Sequence, residues 1–449
     1  MKIFSQKPEE IKKLHFIGAG GIGMSGLMEC LHQCGFSVQG SDASENGNVQ
    51  RLRNLGITVF IEHKAEQAEG ASHVVVSSAI QQDNEELIAS KKIGATIVHR
   101  ADVLAEIMKN YNSVAVAGTH GKTSTTALTW AAFKAAGIDT GIINGGVLQD
   151  LQTNVQLPKT TAGWLIVEAD ESDRSFLKLP HQFAIVLNME PEHMENYNHD
   201  ETLLHKDFEA FMAASQSPDK NILHTSLPSQ WLKQGVTYGS EENADYHTQN
   251  IQRDGWQTHF SVNGELNATV NLPGAHYAEN ATAALAAVQA VGGDVEKAAN
   301  GLASFAGVAR RFTKVGTFKE AVVVDDYGHH PTEIQATLAA ARGLTEGQLI
   351  AVVQPHRYSR LKDLMDAFAK STEEADKVFI LPVHAAGEKP IDGVSSEALV
   401  QKTQNALLVQ DETALTNALE NIASKGDTIL MMGAGSITGM ATRLGSTIA

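Results

Sequence analysis

Short apolar runs alternate with helical patterns along the first hundred residues. Between the first two runs, apolar residues recur at helical spacing from Met24 to Leu31, and Gly35 ends this pattern. The four apolar runs are predicted to be strands: Leu14–Ile17, Phe36–Gln39, Val74–Ser77 and Thr96–His99. Strand and helix in alternation predict a small α/β unit over residues 1–107.

The same alternation continues through the middle of the chain. Tyr246–Leu272 alternates polar and apolar residues, which predicts an antiparallel hairpin, and an Ala-rich helix is expected over Ala278–Val291. Three apolar runs in this part are predicted to be buried strands: Ser113–Ala117, Trp164–Val167 and Phe183–Leu187. We therefore predict a second α/β unit over residues 108–311.

A third unit is expected over residues 312–449. Its apolar runs are separated by helical segments, which favours a parallel sheet. They are Ala321–Val324, Leu349–Val353, Lys377–Ile380 and Thr428–Met432. Three domains agree with the chain length of 449 residues, since a domain usually has about 150. The expected fold is α/β, with a Rossmann-like domain at each end and a mostly parallel, phosphate-loop type of domain in the centre.

Composition narrows the class of protein. Hydrophobic residues make up 43% of the chain and charged residues 19%, as in ordinary globular proteins. The net charge of −17 disfavours nucleic-acid binding. Cys30 and Cys34 are the two cysteines, too few for a disulfide scaffold or a four-cysteine zinc site, and we expect both to be buried thiols. No apolar window reaches membrane-span length and Met1–Lys13 is polar, so we expect a soluble, cytoplasmic protein.

The segment Gly118-Thr-His-Gly-Lys122-Thr123 lies between a predicted strand and a predicted helix. Small residues there let backbone N–H groups converge on phosphate oxygens, and the helix N-terminus adds its positive dipole. Lys122 would contact the transferred phosphate and Thr123 would hold Mg²⁺. Val116 occupies the first glycine position of the usual phosphate-loop pattern, so an ordinary strand-to-helix turn is the alternative.

A second glycine loop, Gly18-Ala-Gly20-Gly-Ile-Gly23, follows the first strand. Asp42 lies 19 residues beyond Gly23, as in dinucleotide-binding folds, so a nicotinamide dehydrogenase is one interpretation. The diphosphate of a UDP-sugar would suit the same backbone donors, and a purely structural loop is a third possibility. Because the chain also carries the phosphate loop at Lys122, the diphosphate of a substrate is favoured.

Acidic and histidine residues follow two strands of the central unit. Glu168, in the run Glu168–Asp173, is a candidate Mg²⁺ ligand, although a solvated acidic loop would look similar. His193 ends the segment Asn188–His193 and is either a second metal ligand or a histidine at the edge of the core.

Four further segments carry groups suited to anions or nucleotides. Asp325–Pro331 and Gln354–Arg360 follow strands, and the arginines at 357 and 360 can pair with a carboxylate or phosphate. Arg311, at the domain boundary, either reaches a γ-phosphate or braces two domains. His276 and Asn280 share a helix face, where helix capping is the alternative to ligand binding.

Taken in order, these segments resemble the Mur ligase family, the ATP-dependent amide-forming ligases of peptidoglycan precursor synthesis. The resemblance covers nearly the whole chain. It rests on five blocks: His15–Gly26, Gly118–Thr123, Glu168–Phe176, Asp325–Glu333 and Gln354–Arg360. The blocks look most like those of the member that joins L-alanine to the lactoyl carboxylate of UDP-N-acetylmuramate through an acyl phosphate, with ATP and Mg²⁺. Three domains for the UDP-sugar, ATP and the amino acid are implied.

The resemblance also implies roles for individual residues. The expected catalytic residues are Lys122, His193, Arg311 and His329, with His329 or His193 assisting proton loss from the amine. Metal ligands are expected at Thr123, Glu168 and His193. ATP is expected at Gly118, Thr119, His120, Gly121, Lys122, Thr123, Ser124, His276, Asn280, Arg311 and Asp326. The sugar and amino-acid sites are expected at Gly20, Gly21, Ile22, Gly23, Asp42, Ser78, His99, Arg100, Tyr327, His329, Arg357 and Arg360.

Two segments depart from the family pattern. Glu190 and Glu192 stand where the family usually has aspartates, so the second metal site is expected to shift. Tyr277 stands where it often has asparagine, which affects the adenine contacts. Three alternatives stay open: a murein-recycling ligase that adds a tripeptide to the same sugar, an NAD-dependent oxidoreductase, and a catalytically silent nucleotide-binding protein.

Overall fold

The computed structural model describes residues 1–446 and contains three β-sheets, each flanked by helices. The first sheet has five parallel strands in the order β3-β2-β1-β4-β5. Its strands are β1 (Leu14–Ile17), β2 (Val38–Asp42), β3 (Thr58–Ile61), β4 (His73–Val76) and β5 (Thr96–His99). Its helices are α1 (Ile22–Gln33), α2 (Gly47–Asn54), α3 (Glu85–Lys92) and α4 (Arg100–Met108).

The second sheet has ten strands in the order β15-β14-β13-β12-β11-β10-β6-β9-β7-β8. They are β6 (Asn112–Ala117), β7 (Thr140–Leu148), β8 (Thr153–Gln156), β9 (Trp164–Glu168), β10 (Phe183–Val186), β11 (Ile222–His224), β12 (Val236–Gly239), β13 (Tyr246–Asp254), β14 (Gln257–Val262) and β15 (Leu266–Val270). The helices are α5 (Lys122–Ala135), α6 (Glu201–Ala213), α7 (Ala275–Ala290) and α8 (Val295–Gly301). The central strands β9, β6 and β10 are parallel.

The third sheet has six strands in the order β16-β17-β21-β18-β19-β20, with an antiparallel edge pair, β16–β17, and parallel pairs across the rest. The strands are β16 (Thr313–Phe318), β17 (Ala321–Asp326), β18 (Leu349–Val353), β19 (Lys377–Ile380), β20 (Ala406–Leu408) and β21 (Thr428–Met432). The helices are α9 (Pro331–Arg342), α10 (Tyr358–Ser371), α11 (Ser396–Lys402), α12 (Glu412–Glu420) and α13 (Ile437–Gly445).

The predicted α/β class and mostly parallel sheets are confirmed. The predicted strand Phe36–Gln39 is wrong by about two residues, because β2 starts at Val38 and runs on through the polar Ser41 and Asp42 to pair with β1 and β3. The stretch predicted as a hairpin forms three strands, β13 to β15. Both cysteines are unbridged, and Cys30 is buried as expected whereas Cys34 is only partly buried.

Chain contacts divide the protein into two compact units. The first consists of Met1–Asn250, Phe260–Ala268 and Glu279–Ala306, so it holds the whole first sheet and the phosphate-loop part of the second. The second unit is the rest of the described chain and holds the third sheet. The domain bounds 1–107, 108–311 and 312–449 stay a prediction. In the part of the chain that the structure describes, no helix is long and apolar enough to cross a bilayer.

Candidate functional site

The phosphate loop predicted at Gly118–Thr123 is a tight turn between β6 and α5. The φ angle of Gly118 is +145°, and a Cβ there would lie 2.9 Å from the Cβ of Leu187 and 3.1 Å from the backbone N of Asn188. Only glycine fits such a position without displacing β10 and its continuation. Lys122 is the first residue of α5, so the loop lies at the N-terminus of a helix, where anions are stabilised.

Asn188, which follows β10, holds the phosphate loop in place. Its side-chain Oδ1 accepts from the backbone N of His120 (2.8 Å), and its Nδ2 donates to the His120 carbonyl (3.1 Å). Thr119 adds a second link, since its hydroxyl accepts from the backbone N of Glu190 at 2.8 Å. No sequence motif assigns Asn188 this role, because the contact joins residues 68 positions apart.

The ammonium group of Lys122 contacts the phosphate loop and the acidic segment that follows β9. Nζ donates to the carbonyls of Gly118 (2.7 Å) and Thr119 (3.0 Å) and forms an ion pair with Glu171 at 2.9 Å. Burial lowers the pKa of Lys122, but the charges of Glu171, Asp170 and Glu168 outweigh it and raise the pKa above its ordinary value. Lys122 is therefore a firmly charged group at the phosphate site.

Thr123 and Glu168, two of the three predicted metal ligands, lie together. The Thr123 hydroxyl donates to Oε1 of Glu168 at 3.2 Å, and Oε2 of Glu168 accepts from the backbone N of Gly145 at 2.8 Å. A hydroxyl and a carboxylate beside a phosphate loop are the oxygen donors that Mg²⁺ prefers, so these two residues fit the ion. Ser124, the next residue of α5, is buried.

His193 and the two glutamates before it lie at the end of the segment after β10. His193 has φ +53° and its ring nitrogens lie 3.9 Å from Glu192 and 3.8 Å from Glu195. Glu190 and Glu192 each place a carboxylate oxygen 3.3 Å from Nε2 of His120. The longer carboxylates thus contact the phosphate-loop histidine, and the role of His193 as a metal ligand stays a prediction.

The N-terminal glycine loop is held by the end of β2. The Gly20 backbone N donates to Oδ2 of Asp42 (2.7 Å), and the backbone N of Gly18 donates to the Ser41 carbonyl (2.9 Å). Gly21 caps α1, so Ile22 and Gly23 form the first turn of that helix. A Cβ on Gly23 would lie 3.6 Å from Arg100, which places this arginine beside the loop. Asp42 therefore shapes the loop in this structure.

Ser78, His99 and Arg100, predicted for the sugar site, meet at the carboxyl ends of β4 and β5. The Ser78 hydroxyl lies 3.2 Å from Nε2 of His99 and donates to Asp173 at 2.7 Å. Arg100 Nη2 donates to Asp170 at 2.9 Å and to Asp173 at 3.4 Å. Burial lowers the pKa of His99, and Arg100 acts in the same direction, while Asp173 opposes. The structure thus brings the first sheet's predicted residues to the acidic segment that follows β9.

Asn280 of α7 lies near the phosphate loop, as the ATP prediction requires. A Cβ on Gly121 would lie 3.7 Å from the Asn280 amide. His276 is one turn earlier on the same helix, is exposed, and has its ring centroid 4.2 Å from that of the buried Tyr277. The adenine contacts of these residues stay a prediction.

The second unit gathers the remaining predicted residues at the carboxyl ends of β17 and β18. Asp326 is buried and accepts from the backbone N of Phe312 (2.8 Å) and of Gly328 (2.7 Å). Burial raises the pKa of Asp326, with Arg311 opposing. Asp326 thus braces its own loop, and its predicted contact with a ribose is untested.

An aromatic and cationic cluster follows Asp326. The guanidinium of Arg311 lies 5.0 Å from the ring centre of Tyr327, which is 5.1 Å from that of His329. Burial lowers the pKa of His329 to about 3, and the positive charge of Arg360 adds to this while Glu333 opposes. His329 is therefore neutral at pH 7. Arg357 has φ +71° at the start of α10, and its backbone N donates to the His384 carbonyl at 2.9 Å.

Sequence reasoning missed Glu171 and Asp170 as individual site residues. They lie in the acidic run Glu168–Asp173, of which Glu168 alone was predicted to be a ligand. A signal was present, because two adjacent acids follow a buried strand next to a phosphate loop. Nothing in the sequence told which acid would face Lys122 and which would face Arg100.

Comparison with known proteins assigns all three sheets to one family. The profile described as "Mur ligase family, catalytic domain" matches residues 13–112, the Mur ligase middle domain matches 116–288, and the "Mur ligase, glutamate ligase domain" matches 310–435. A UDP-N-acetylmuramate–L-alanine ligase of Sinorhizobium fredii is 43% identical over 97% of each chain. A relative of the same name from Brucella anthropi is 43% identical over 96% of each chain.

Solved structures agree with these relatives. The UDP-N-acetylmuramate–alanine ligase of Thermotoga maritima has a TM-score of 0.83 and 27% identity, covering 96% of this chain and 98% of its own. A murein peptide ligase of Psychrobacter arcticus has a TM-score of 0.73 and 25% identity, covering 98% of this chain and 100% of its own.

Proposed function

The chain belongs to the Mur ligase family, and from that premise we propose that it joins L-alanine to the lactoyl carboxylate of UDP-N-acetylmuramate, using ATP. The enzyme is thus an ADP-forming ligase of peptidoglycan precursor synthesis, acting in the cytoplasm. The observation that carries the proposal is the pairing of two anion-binding loops, Gly18–Gly23 and Gly118–Thr123, in one compact unit. A nucleotide sugar and ATP both need such a loop.

ATP would bind with its phosphates over the turn before α5. The backbone N–H groups at the start of the helix and the charged Lys122 would neutralise the transferred γ-phosphoryl group. Thr123 and Glu168, already 3.2 Å apart, would hold Mg²⁺, which when bound supplies charge neutralisation to the phosphates. Arg311, Asn280, His276 and Asp326 are proposed to complete the nucleotide site, and His193 a second metal position.

The UDP-sugar would bind at the carboxyl ends of the first sheet. The glycine loop offers backbone donors to the diphosphate, and Arg100 lies beside that loop with a guanidinium suited to phosphate oxygens. Ser78 and His99, which contact each other, would add neutral donors. This arrangement would orient the lactoyl carboxylate toward the phosphate loop of the same unit.

The reaction follows from the groups assembled. A carboxylate is a poor acyl donor, so transfer of the γ-phosphoryl group from ATP to the lactoyl oxygen gives an acyl phosphate and ADP. The amine of L-alanine then attacks the carbonyl carbon, and a tetrahedral intermediate collapses to the amide and inorganic phosphate. His329 is neutral at pH 7, and we propose it as the residue that faces the attacking nitrogen; its pKa of about 3 would have to rise on substrate binding for it to accept the proton. Arg357 and Arg360 would hold the carboxylate of the amino acid.

Positioning and electrostatics would supply most of the rate. Reacting groups fixed in line avoid the entropic cost of bringing them together, and preoriented cations stabilise the charge that develops. Lys122 is held beside the phosphate loop by two carbonyls and a carboxylate, which fixes the position of its charge. These roles of individual residues are the part of the proposal that mutation must test.

A ligase that adds a tripeptide to the same sugar is the second candidate, since a murein peptide ligase shares the fold over the whole chain. The relatives that are about 43% identical over nearly the full length favour the alanine-adding activity. An NAD-dependent oxidoreductase would use the Gly18–Gly23 loop but would not account for the phosphate loop at Lys122.

The test is release of ADP from ATP with each substrate omitted in turn. We expect release only when both UDP-N-acetylmuramate and an acceptor are present, and we expect L-alanine to be a far better acceptor than the tripeptide. Turnover of ATP that is indifferent to the sugar and the amino acid would overturn the proposal. A preference for the tripeptide would assign the second candidate instead.

A further inference from the structure

Two adjacent carboxylates after β9 face in different directions and each holds a cation. Glu171 forms an ion pair with Lys122 of the phosphate loop at 2.9 Å. Asp170 forms an ion pair with Arg100, at the end of the first sheet, at 2.9 Å. Both cations are those to which the proposed function gives a phosphate. In this structure, the protein's own carboxylates therefore pair with both cations.

The Lys122 end leaves no donor for a ligand. An ammonium group has three N–H donors, and Lys122 directs them to the Gly118 carbonyl, the Thr119 carbonyl and the Glu171 carboxylate. Glu171 is only 5% exposed, so water does not compete for it. A phosphate that takes the Lys122 charge must displace at least the carboxylate, because the two anions would repel each other at that distance.

Arg100 is likewise paired with carboxylates of this segment. Asp173 shares the guanidinium with Asp170 at 3.4 Å, and the same Asp173 oxygen accepts from the Ser78 hydroxyl at 2.7 Å. Two residues expected to bind the sugar, Arg100 and Ser78, are thus engaged with the segment 170–173. A diphosphate arriving at Arg100 would replace these carboxylates by its own oxygens.

The two ends are joined through one short, tethered segment. The Tyr197 hydroxyl donates to the Glu171 carbonyl at 2.6 Å, and Asp170 accepts from the backbone N of Ser172 at 3.1 Å. Asp170 and Glu171 are neighbours in the chain, so a backbone shift that follows loss of the Arg100 pair would also move Glu171 relative to Lys122.

We propose that Asp170 and Glu171 form a two-sided carboxylate clasp that couples the sugar site to the ATP site. The inference rests on the proposed function. Binding of the UDP-sugar at Arg100 detaches Asp170, weakens the Glu171–Lys122 pair and strengthens ATP binding. By linkage, ATP strengthens sugar binding by the same factor. Asp170 and Glu171 are positioning residues, since they act through the two cations.

Glu171 is a buried carboxylate whose charge depends on its partner. Burial raises the pKa of Glu171 to about 7, with the negative charge of Asp170 adding to it, while Lys122 opposes by favouring the carboxylate.

The experiment measures dissociation constants of Mg²⁺–AMP-PNP by calorimetry, with and without saturating UDP-N-acetylmuramate. For the unaltered protein we expect the sugar to strengthen AMP-PNP binding by about fivefold or more. Glu171→Gln should bind AMP-PNP about tenfold more tightly without sugar, because a charged competitor is removed, and should respond little to the sugar. Asp170→Asn should lose the coupling as well.

Lys178→Gln is the matched control. Lys178 pairs with Asp102 at 2.8 Å and so bridges the same two sheets through a cation other than Lys122 and Arg100. This variant should keep the full coupling. If the sugar does not strengthen AMP-PNP binding, or if Glu171→Gln and Asp170→Asn keep the coupling of the unaltered protein, the clasp is wrong.

A double-mutant cycle separates the clasp from simple repulsion between Glu171 and phosphate. In a Lys122→Ala background, Glu171→Gln should no longer change AMP-PNP affinity, whereas persistence of the effect would overturn the inference. Should Glu171→Gln fail to fold by circular dichroism, Glu171→Asp supplies a shorter carboxylate and should tighten AMP-PNP binding to a smaller extent. Failure of the unaltered protein to bind AMP-PNP or the sugar at all would instead contradict the proposed function.

Discussion

Lys122 shows what a single residue contributes and how much of it the sequence reveals. Its position after two glycines and before a threonine predicted a phosphate contact, and the structure places it at the start of α5 with its ammonium turned back into the loop. The three acceptors around it come from the loop itself and from Glu171. Its charge is paired with Glu171, so its position depends on a residue 49 positions away.

Replacing Lys122 by alanine tests its role in phosphoryl transfer. We expect Lys122→Ala to lower kcat for ADP release by roughly 100-fold or more, because a preoriented charge on the transferred group is lost. The circular dichroism spectrum should be unchanged. Lys134→Ala, at the other end of α5, is the control, since Lys134 lies 4.7 Å over the Trp130 ring and should alter kcat little. Activity retained in Lys122→Ala would remove this residue from the mechanism.

Glu86 illustrates a buried carboxylate that serves the fold instead. It has no exposed surface, and its oxygens contact His15 (2.5 Å), the Ser41 hydroxyl (2.7 Å) and His63 (3.1 Å). Burial by itself would raise the pKa of Glu86, but these hydrogen bonds and the charge of His15 outweigh it and lower the pKa below its ordinary value of 4.5. The Ser41 carbonyl accepts from the backbone N of Gly18, so the Glu86 cluster stabilises the strand end that positions the glycine loop.

We expect Glu86→Gln to lower the free energy of unfolding by about 3 kcal/mol at pH 7, because the histidines and the hydroxyl lose their charged partner. A carboxyl whose folded pKa is depressed stabilises the protein above pH 4.5, and this stabilisation is lost as the pH falls from 4.5 through the folded pKa. The variant should lack that part of the acid sensitivity. Urea unfolding at pH 7 and at a series of values below 5 measures both effects.

The exposed neighbour Glu85→Gln is the control for Glu86 and should change the free energy of unfolding by less than about 0.5 kcal/mol. An equal loss in both variants, or an unchanged acid profile in Glu86→Gln, would show that the buried cluster does not contribute in this way.

At the scale of elements, the sequence was most informative where strands are buried on both faces. β18, β19 and β21 were predicted to the residue, because each is a continuous apolar run between helical segments. β7 was missed: its sequence Thr-Gly-Ile-Ile-Asn-Gly-Gly-Val-Leu mixes glycine and polar residues, and pairing with β8 and β9 makes it a strand. The strand conformation of β7 thus depends on pairing with distant strands, which the local sequence pattern does not reveal.

The same limit applies to the site. Lys122, Thr123 and Glu168 could be found from motif spacing, because strand ends and helix starts place such residues at one edge of a sheet. The roles of Asn188 on the phosphate loop and of Asp170 on Arg100 could not, since both depend on contacts between distant segments. Which acid of a run meets which cation is a property of packing.

Gly118 tests the geometry of the loop between β6 and α5. Alanine there would have a positive φ and a Cβ 2.9 Å from that of Leu187, so Gly118→Ala should lower the free energy of unfolding by about 1–3 kcal/mol and raise KM for ATP. Gly137→Ala is the control, because Gly137 also has a positive φ (+78°) but open space, within the described part of the chain, where its Cβ would lie. Urea unfolding measures the cost of the positive φ, which both variants share, and the KM for ATP reports displacement of the loop, which only Gly118→Ala should cause. An unchanged KM for Gly118→Ala would show that the loop tolerates the displacement.

At the scale of the whole molecule, the net charge of −17 is not an obstacle to anionic substrates. Cations and backbone donors are concentrated at the carboxyl ends of the sheets, where Lys122 and Arg100 each lie beside a glycine loop. Asp170 and Glu171, acidic residues of one segment, pair with these two cations. The overall charge and the local potential at the sites are therefore separate properties.

The first compact unit joins two sheets through a buried polar cluster around Asn154 of β8. Asn154 is fully buried, and its amide donates to the Ile22 carbonyl (3.2 Å) and accepts from Arg51 (3.0 Å). Glu29 of α1 completes the link, because it pairs with Arg51 (3.4 Å) and accepts from the Thr153 hydroxyl (2.8 Å). Ile22 lies within the glycine loop, where α1 begins, so the cluster connects the sugar site to the ATP-binding sheet. We infer that the two sheets open and close as one cooperative unit.

Asn154→Ala should break this cooperativity. It removes the buried amide that donates to the Ile22 carbonyl and accepts from Arg51, which should cost about 1–3 kcal/mol in the free energy of unfolding. In the unaltered protein, UDP-N-acetylmuramate should slow amide hydrogen exchange in both the first sheet and β6 to β9, because a ligand stabilises every segment that unfolds together with its site. In Asn154→Ala the protection should be confined to the first sheet.

Asn110→Ala is the control for Asn154→Ala. The Asn110 amide bonds to Lys2, Glu106 and Ile107 on the side of the first sheet, so this variant should keep protection in both sheets. Protection that still reaches β6 to β9 in Asn154→Ala would mean that other contacts carry the connection.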